Sequence, residues 1–379
     1  MKVVLISQNA SPGLLIFRKD FIRYLIACGH SVYCFALDYS ASTRLAVEAM
    51  GAIPIDYSLN KAGLNPFRDV RDTFALTIKI KDIKPDIVFS FFVKPSIYGT
   101  LAAKFAGAPR RIAMLEGLGY IHTPAVCGFG LKKYLLQRVH GLLSTIGYLF
   151  AHKVLFLNSS DPVDLAKVSY INTRKFIEVG PIGLSLEQFP YSSADLSKPL
   201  RFVFVARLLA EKGIFEFLNA ARIVRASFPE VEFLVLGGLD FDNPTALSPS
   251  QLQAVIDEGL IIYPGHVTDV ASWLIGSHVF VLPSYREGFP RSTQEAMAIG
   301  RAVITTNVPG CRETVVDGLN GFLVPPFDSK VLAEKMIYFV KNPDAVLRMG
   351  RESNRMAVDK FDADKINPVL TEIITGISS

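Results

Sequence analysis

Hydrophobic and polar positions alternate along the chain in a rhythm that repeats twice. Short, continuously apolar and β-branched segments predict buried strands, and the longer segments between them have the spacing of amphipathic helices. In the first half the predicted strands are 2–7, 31–37, 86–92, 111–115 and 153–158, and the helical patterns lie near 15–28, 41–50, 66–81, 96–106 and 131–150. In the second half the predicted strands are 201–206, 232–238, 278–283, 302–306 and 321–325.

Strand–helix alternation with continuously apolar strands predicts a parallel, doubly wound sheet, and two such series predict two Rossmann-like α/β domains. The seam lies near 180–199, which is rich in Gly, Pro and Ser, so the expected domains are 1–185 and 186–357. The remaining 358–379 is expected to form a helix that packs back on the first domain. Sheets of this kind bind ligands beyond the carboxyl ends of their strands, so the expected active site is the cleft between the two domains.

The composition is that of a folded protein, with 379 residues, 50% hydrophobic and 20% charged. No apolar run approaches the roughly 20 residues that a membrane-spanning helix needs. The chain starts directly with a strand pattern and without a signal-peptide pattern, which predicts a cytoplasmic location. The four cysteines have no metal-ligand spacing and are interpreted as buried hydrophobic residues in a reducing compartment: Cys28, Cys34, Cys127 and Cys311.

Charge is divided unequally between the halves. Residues 1–190 contain 22 Lys and Arg against 13 Asp and Glu, whereas residues 191–379 contain 18 against 22. A basic first half predicts an anionic partner, either nucleic acid or a membrane surface. Because no nucleic-acid-binding signature accompanies the basic residues, the membrane surface is the favoured partner and no nucleic acid is expected.

The helical pattern at 131–150 has two interpretations. It either packs on its own sheet as a core helix, or it docks peripherally on an anionic membrane surface. Its predicted apolar face consists of Leu131, Leu135, Leu136, Val139, Leu142, Leu143 and Ile146, and its positive charge comes from Lys132, Lys133 and Arg138.

The candidate chemistry of the second half lies in two loops that follow predicted strands. In "SYREGFPRSTQEAMAIG" (284–300), Glu287 lies in an irregular turn and Glu295 lies in the helix that follows. In "VARLLAEKGIFEFL" (205–218), Arg207 and Lys212 precede a helix N-terminus. Two cations at such a position suit a departing diphosphate, although surface cations are often merely solvated.

Other motifs are weaker. Gly13 in "SQNASPGLLIFRKD" (7–20) either lets the backbone approach a phosphate or sugar or makes a plain turn. Neither G-x-G-x-x-G nor a P-loop motif occurs, which disfavours NAD enzymes and P-loop NTPases. Asp240 and Asp242 in "LDFDNP" have the D-x-D spacing of a metal site, but they follow a Gly-Gly turn at a strand end, so no metal is expected.

Four segments together carry a resemblance: "VARLLAEKG", "IIYPGHVTDV", "LPSYREGFPRSTQEAMAIG" and "NVPGCRETVVDGLNGFLVPPFD". They are similar to the GT-B retaining glycosyltransferases of family 4, across the whole second half and more loosely across the first. "SLNKAGLNPFRD" (58–69) and "MLEGLGY" (114–120) most resemble bacterial members that add an N-acetylhexosamine to an undecaprenyl-diphosphate-linked sugar.

This resemblance implies roles for the candidate residues. Arg207 and Lys212 would neutralise the departing diphosphate, Glu287 would contact the hydroxyls of the donor sugar, and Glu295 would hold the ribose. The helix that starts near Ser292 would point its positive end at the diphosphate. The full implied donor site is Gly13, Gly237, Gly265, His266, Val267, Gly288, Phe289, Pro290, Arg291, Ser292 and Glu295.

The first half departs from the family at one position. Many relatives have His-Gly after the fifth strand of the first domain, where this chain has Glu116-Gly117. The Glu116 carboxylate either orients a sugar hydroxyl or takes its proton, as a catalytic residue would, or it caps the following turn.

The resemblance implies a retaining, metal-independent enzyme without a cofactor. It would move a hexosamine, GalNAc or GlcNAc, from a UDP-sugar to an undecaprenyl-diphosphate-linked saccharide in surface glycan assembly, at the cytoplasmic face of the inner membrane. The alternatives are another donor (UDP-Glc, UDP-Gal or GDP-Man), a sugar-nucleotide epimerase, a phosphorylase, and a non-enzymatic sugar-nucleotide sensor.

Overall fold

The computed structural model describes residues 1–60, 65–124, 130–241, 243 and 245–377. The chain forms two compact units. The first contains the chain up to His122, residues 130–184 and the end of the chain from Ala363 onward. The second runs from Ser185 to Asp362. The chain thus returns to the first unit at Ala363, somewhat later than the expected position 358.

The first unit is a seven-stranded parallel sheet with helices packed on it. The strands are β1 (Lys2–Ile6), β2 (Ser31–Ala36), β3 (Ile53–Asp56), β4 (Ile87–Phe91), β5 (Arg110–Leu115), β6 (Lys153–Phe156) and β7 (Phe176–Glu178). They lie in the order β3-β2-β1-β4-β5-β6-β7. The first six helices of the chain are α1 (Lys19–Ala27), α2 (Ala41–Glu48), α3 (Pro66–Ile83), α4 (Val93–Phe105), α5 (Leu131–Leu149) and α6 (Ser160–Val168).

The second unit repeats this plan with six parallel strands. They are β8 (Arg201–Val205), β9 (Glu232–Leu236), β10 (Ile262–Gly265), β11 (Val279–Leu282), β12 (Ala302–Thr306) and β13 (Gly321–Val324). Their order is β10-β9-β8-β11-β12-β13. The helices are α7 (Ile214–Arg225), α8 (Pro249–Asp257), α9 (Val270–Ile275), α10 (Arg291–Ile299), α11 (Ser329–Lys341) and α12 (Pro343–Lys360), and α13 (Ala363–Thr375) belongs to the first unit.

Every strand predicted from a continuous apolar segment is present, and the prediction of two doubly wound parallel sheets is confirmed. Three strands were missed, β3, β7 and β10. All three lie at the edge of a sheet, where one side has no neighbouring strand and the residues are only partly buried. Pro54 and Pro264 occur in two of them, which is compatible with an edge position but breaks the apolar pattern.

The helix predicted at 15–28 begins only at Lys19. Ahead of it, residues 10–14 form one wide helical turn, which the side chain of Asn9 caps by accepting a hydrogen bond from the Gly13 N–H at 2.9 Å. A polar side chain that satisfies the backbone locally in this way competes with a regular helix. The loop after β1 is therefore longer and more specifically shaped than the apolar pattern predicted.

In each sheet the strand order reverses at one point, between β1 and β4 in the first unit and between β8 and β11 in the second. Loops on either side of such a point diverge at the carboxyl ends of the strands, which leaves a crevice for ligands. The candidate residues after β1, β5, β8, β9 and β11 all lie at these edges. Among the helices of the described residues, none is both long and apolar enough to cross a membrane.

Candidate active site

Glu287 lies in the turn between β11 and α10 and is held from three directions. Its Oε1 atom accepts hydrogen bonds from Lys212 Nζ at 2.6 Å and from Ser284 Oγ at 2.7 Å. Its backbone N–H donates to the carbonyl of Pro309 at 2.9 Å. The side chains of Lys212 and Glu287 are only 22% and 11% exposed. This carboxylate and ammonium are therefore fixed together at the carboxyl edge of the second sheet.

Two glycines bring the loops around this pair into contact. A Cβ atom on Gly213, which has a φ of +78°, would lie 2.2 Å from the carbonyl oxygen of Pro283. A Cβ atom on Gly310, with a φ of +82°, would lie 2.3 Å from the carbonyl oxygen of Glu287. Only glycine fits such positions, since the backbone conformation and the space both exclude a side chain. Gly213 and Gly310 were not predicted as site residues, because nothing local in the sequence reveals a contact between distant loops.

Arg207 follows β8 and is more accessible than Lys212. Its Nη1 atom donates to Asp240 Oδ2 at 2.7 Å, and its side chain is 62% exposed. The loop that carries both cations is attached to the loop after β9, because the Leu208 N–H donates to the Gly238 carbonyl at 3.2 Å and the Ala210 N–H donates to the Thr245 carbonyl at 2.9 Å. The structure thus brings both predicted cations to the same edge, one in a half-buried ion pair and one facing solvent.

Gly237 and Gly265 meet at the ends of β9 and β10. The Gly237 N–H donates to the Gly265 carbonyl at 3.0 Å, and Tyr263 Oη donates to the Gly237 carbonyl at 2.8 Å. A Cβ atom on Gly237 would lie 1.8 Å from the carbonyl oxygen of Ala206, so this position requires glycine. His266 is exposed beside this junction and Val267 is half-buried. Gly265, His266 and Val267, which the resemblance places in the donor site, therefore lie in a loop whose backbone is held to the end of β9, and their contact with a donor stays a prediction.

The turn from Gly288 to Ser292 leads into α10, which begins at Arg291, one residue before the predicted start at Ser292. Pro290 occupies the N-cap position of this helix. The ring of Phe289 packs edge-on against Phe361 with 5.6 Å between the ring centroids, so its aromatic surface contributes to packing within the second unit.

Glu295 is buried in α10 and accepts a hydrogen bond from Arg291 Nε at 3.0 Å. Burial raises the pKa of Glu295, and the Arg291 guanidinium opposes that rise. Glu295 is therefore not a solvent-facing helix residue. Arg291, predicted as a donor-binding residue, has this carboxylate as its described partner.

Tyr285 lies in the same loop as Glu287 and is not among the residues predicted from the sequence. Its Oη atom lies 2.9 Å from both carboxylate oxygens of Glu216 in the first turn of α7, and its ring packs at a tilt of 49° against Phe327, with 4.1 Å between the ring centroids. Burial raises the pKa of both Tyr285 and Glu216. The two residues are 69 positions apart, so their contact depends on β8 and β11 being neighbours in the sheet.

In the first unit, Gly13 lies inside the wide turn after β1. A Cβ atom there would lie 2.3 Å from Ser7 Oγ and 2.6 Å from Asn9 Oδ1. A larger residue would therefore push these polar side chains apart, and the ring of Phe92, at 3.1 Å, leaves no room on another side. Gly13 is needed for the packing of this turn, and its predicted contact with the donor stays a prediction.

Glu116 follows β5 and forms an ion pair with Arg18, in which Arg18 Nη2 donates to Glu116 Oε1. The two side chains are 8% and 1% exposed. The Arg18 guanidinium also lies 4.9 Å from the centre of the Phe91 ring, and Arg18 Nη2 lies 2.9 Å from Met114 Sδ. The contact that holds Glu116 is therefore this ion pair rather than a cap on the following turn. Burial raises the pKa of Glu116, and Arg18 opposes the rise.

Among the described residues, no group of His, Cys, Asp or Glu side chains is arranged to hold a metal ion. Asp240, the first residue of the D-x-D pair, accepts a hydrogen bond from Arg207. Asp242 lies outside the described residues, so the metal interpretation of the pair stays a hypothesis. Cys34 and Cys311 are buried as expected, whereas Cys28 is exposed, so the expectation was wrong for Cys28; Cys127 lies outside the described residues.

Two family models match the chain. The model for "Glycosyl transferase 4-like" matches residues 2–151, and the model for "Glycosyl transferases group 1" matches residues 199–342. The chain is 28% identical to the N,N'-diacetylbacillosaminyl-diphospho-undecaprenol alpha-1,3-N-acetylgalactosaminyltransferase of Campylobacter jejuni, over 93% of each chain. It is 27% identical to the UDP-Gal:alpha-D-GlcNAc-diphosphoundecaprenol alpha-1,3-galactosyltransferase of Escherichia coli, over 82% of this chain and 81% of that one.

Solved structures agree on the architecture. The chain aligns over its whole length with Anabaena Alr3699/HepE, solved in complex with UDP and glucose, with a TM-score of 0.81 and 17% identity over 100% of both chains. It aligns with a sucrose-phosphate synthase of Thermosynechococcus elongatus with a TM-score of 0.78 and 18% identity over 98% of both chains. At these identities the likeness establishes the fold. The two family models together match most of the chain, and the chain therefore belongs to the group 1 and family 4-like glycosyltransferases, with the GT-B fold.

Proposed function

We propose that this glycosyltransferase moves an N-acetylhexosamine, GalNAc or GlcNAc, from a UDP-sugar to a saccharide linked to undecaprenyl diphosphate, in the assembly of a bacterial surface glycan. The transfer retains the configuration of the donor sugar and needs no metal ion. The observation that carries the proposal is the Lys212–Glu287 pair, at 2.6 Å, with Arg207 at the same edge of the second sheet.

The chemistry follows from the charges at this edge. A departing UDP gains negative charge on its diphosphate, and fixed cations stabilise that charge most strongly as the bond breaks. Lys212 is already oriented by Glu287, so little reorganisation is needed when the diphosphate leaves. Arg207 is accessible and exchanges its contact with Asp240 for the phosphate oxygens. Glu287 keeps one oxygen on Lys212 while its carboxylate accepts hydrogen bonds from the hydroxyls of the donor sugar.

The remaining donor contacts lie around this centre. The first turn of α10, which follows Gly288 and Pro290, directs its backbone N–H groups and its positive dipole toward the diphosphate. Glu295 accepts hydrogen bonds from the ribose hydroxyls. The backbone at Gly265, His266 and Val267 contacts the uracil, with Gly237 supporting that loop.

The first unit supplies the other substrate contacts in this proposal. Glu116, oriented by Arg18, accepts a hydrogen bond from a sugar hydroxyl or takes its proton. Gly13 lets the backbone of the wide turn after β1 approach the donor sugar. Because the acceptor hydroxyl attacks on the face from which UDP leaves, no covalent nucleophile is required.

The choice of substrates is supported by the names of the relatives. The Campylobacter jejuni and Escherichia coli relatives both act on sugars attached to diphosphoundecaprenol. A Staphylococcus aureus relative, 29% identical over 79% of each chain, is a capsular polysaccharide biosynthesis glycosyltransferase. The Escherichia coli relative is a galactosyltransferase, which supports a hexose donor such as UDP-Gal as the second candidate.

An acceptor with a polyprenyl chain stays in the bilayer, so the enzyme works as a peripheral protein at the cytoplasmic face of the inner membrane. The experiment that tests the whole proposal is transfer from a panel of UDP-sugars and GDP-Man to undecaprenyl-diphosphate sugars, with NMR of the product. We expect one UDP-N-acetylhexosamine to be used in preference and an α-linkage to form. A β-linked product, or turnover of the UDP-sugar to its epimer without acceptor, would contradict it.

A further inference from the structure

Helix α5 presents apolar residues on two opposite sides. The inward side is fully used in packing, since Tyr148 is buried and its Oη atom lies 2.7 Å from Ser96 Oγ of α4. Gly141 and Gly147 allow close approach to neighbouring segments, because Cβ atoms there would lie 1.9 Å from the Val168 carbonyl oxygen and 2.8 Å from Ile97. The core interpretation of the 131–150 helix is therefore correct for one side of the helix.

The outward side of α5 has no such packing. Its residues recur at intervals of three and four positions, are between 38% and 75% exposed, and are Leu131, Leu135, Val139, Leu142, Ile146 and Leu149. Leu136 and Leu143, predicted to belong to the same apolar face, do not belong to this outward side, because both are partly buried and Leu143 packs on the core of the unit. A helix whose packing needs are already met has no structural use for a second apolar side.

Helix α3 repeats this arrangement. Its inward side buries Leu76 and Ile80 in the core of the unit. Its outward side exposes large apolar side chains, between 47% and 88% exposed, again at intervals of three and four: Phe67, Val70, Phe74 and Ile78. Asn65, Phe67, Arg68 and Arg71 also line a depression of about 440 Å³ at the start of this helix.

The two outward sides lie on one face of the first unit, because α3, α4 and α5 pack side by side on the same side of the sheet. Asp69 of α3 accepts hydrogen bonds from Lys94 Nζ at 3.2 Å and from Tyr98 Oη at 3.0 Å, both on α4. Ser96 of α4 in turn contacts α5. All three helices contribute residues to a single core cluster with the strands beneath them. Exposed apolar surfaces of this extent mark interaction sites in proteins.

The charge on this face is positive. Neither α4 nor α5 contains an Asp or Glu residue. In α3, Asp69 and Asp72 are buried, and Asp82, at its carboxyl end, is the exposed acidic residue. Exposed basic residues accompany both apolar sides, namely Arg68, Arg71, Lys79, Lys81, Lys104 and Arg138.

Of the basic residues predicted for α5, Lys133 contributes less to the surface than the sequence suggests, and the neighbouring His140 adds no charge. Lys133 is half-buried, with its Nζ atom 4.5 Å from the centre of the Tyr120 ring. His140 is buried, and its pKa is lowered to about 4 by that burial, so it carries no charge near neutral pH. The side chain of Lys132 lies outside the described residues. The positive charge of the face thus comes mainly from Arg138 and from α3.

We infer that the outward sides of α3 and α5 form one docking face that binds the surface of an anionic lipid bilayer. Apolar side chains enter the boundary between headgroups and acyl chains, while Arg and Lys contact the anionic headgroups. A second copy of the chain fits this face poorly, since two such faces would bring like charges together. This inference rests on the proposed function, whose acceptor is lipid-linked, and it identifies the surface that meets the membrane.

Flotation with vesicles tests the inference. Full-length protein is mixed with vesicles of phosphatidylcholine containing either about one third phosphatidylglycerol or none. We expect binding to the anionic vesicles at low salt and release at high salt. The α3 variant Phe67→Ser/Phe74→Ser and the α5 variant Leu135→Ser/Leu142→Ser should each weaken binding by about tenfold or more. The charge variant Arg71→Glu/Arg138→Glu should abolish the preference for anionic vesicles.

Matched controls come from the same unit. Leu45 on α2 and Val369 on α13 are 65% and 57% exposed, and Leu45→Ser/Val369→Ser should bind vesicles like the parent. Because every substituted side chain is exposed, circular dichroism and the Tm should be close to those of the parent for all variants. Transfer to a short soluble acceptor should also be unchanged, whereas transfer to acceptor in vesicles should fall with binding.

The outcomes separate this inference from the proposed function. If the α3 variant binds vesicles like the parent while the α5 variant does not, the two-helix face is wrong. If the parent is a dimer in solution and the variants are monomers, the occupant is a second copy. If the parent binds vesicles as expected but transfers no sugar to either acceptor, the docking face stands and the proposed function fails.

Discussion

The two units place their charged site residues in different ways, although their sheets have the same plan. In the second unit the charges are shared between accessible loops, with Arg207 62% exposed and Lys212 22% exposed. In the first unit the pair Arg18–Glu116 is almost completely buried. Exposed cations can exchange their partners for a ligand, whereas a buried pair that loses one member leaves an unpaired charge in the interior. The accessible cations of the second unit suit the binding and release of a charged group, and the buried pair of the first unit suits a side chain held in a fixed orientation.

The largest effect is expected for Arg18→Met, which removes the partner of the buried Glu116 carboxylate. The loss of folding free energy should be about 3–5 kcal/mol. Burial then raises the pKa of Glu116 without opposition, so the folded variant favours the protonated acid. A folded pKa above the unfolded value gives stability at low pH that is lost as the pH rises through the folded pKa. Urea unfolding should therefore show the variant relatively more stable at pH 5 than at pH 8.

A second substitution checks that this pH dependence comes from Glu116. In Arg18→Met/Glu116→Gln the side chain cannot ionise, so the added pH dependence should disappear and part of the stability should return. Arg18→Lys, which keeps the charge, should lie close to the parent. If Arg18→Met shows the same loss of stability at every pH, the Arg18–Glu116 pair has no electrostatic role. The two units would then differ in how these side chains pack and not in how their charges are paired.

In the second unit, Lys212→Ala should lower kcat by about 10²–10³-fold with little change in the KM of the donor. The reason is that leaving-group charge peaks in the transition state, and the loss of one such contact costs about 3–4 kcal/mol. Glu287→Ala should nearly abolish transfer, and the double variant should be little worse than Glu287→Ala, since the two side chains form one pair. Arg222→Ala removes a cation paired with Glu258 outside the site and should leave kcat unchanged. A change confined to KM in Lys212→Ala would contradict the role of Lys212 at the leaving group.

Glu295→Gln should raise the KM and Kd for the donor with little effect on kcat. The proposed bonds from the ribose hydroxyls are charge-assisted, and weakening them costs roughly 1.5–3 kcal/mol, or about 10–100-fold in affinity. Glutamine keeps the size of this buried side chain, so the packing of α10 is preserved. Calorimetric titration with UDP measures the effect directly, and equal affinity in variant and parent would show that Glu295 only pairs with Arg291.

Arg207→Ala should have a smaller effect than Lys212→Ala, on the order of tenfold in kcat, because solvent screens an exposed cation. Asp240→Asn removes the partner that holds Arg207 and should change kcat less than Arg207→Ala does. Steady-state kinetics at two salt concentrations should show the Arg207 effect shrinking as salt rises. If Arg207→Ala lowers kcat as much as Lys212→Ala does, the greater exposure of Arg207 does not make it less important for transfer.

The site residues of the second unit could be predicted from the sequence better than those of the first unit, because most of them lie close together in the chain. Glu287, Gly288, Pro290 and Glu295 lie within one strand–turn–helix segment, so their spacing in sequence already describes their spacing in space. The pair Arg18–Glu116 spans 98 positions and joins the loops after two strands that are not neighbours in the sheet. Nothing near Glu116 in the sequence identifies its partner.

The edge strands and the second apolar side of α5 show the same limit. A continuous apolar segment predicts a strand that is buried on both faces. The edge strands β3, β7 and β10 are only partly buried, so they lack such a segment and are not predicted. The periodic pattern of α5 predicts a helix with apolar residues, but it does not tell which of them the neighbouring α4 covers. Exposure depends on contacts between elements, which a single sequence does not contain.

The smallest effect, none at all, is expected for removal of divalent metal ions. Arg207 and Lys212 supply the positive charge that a metal ion would otherwise bring to the diphosphate, and the Asp240 carboxylate pairs with Arg207 at 2.7 Å. Transfer rates should therefore be the same in EDTA as in buffer with Mg²⁺ or Mn²⁺, with the donor held well above its KM so that metal binding to free UDP-sugar does not change its supply. Loss of activity in EDTA that Mn²⁺ restores would overturn this expectation. In that case Asp240→Asn and Asp242→Asn should each weaken the dependence on Mn²⁺, and the accessible charge of the second unit would belong to a metal ion rather than to Arg207.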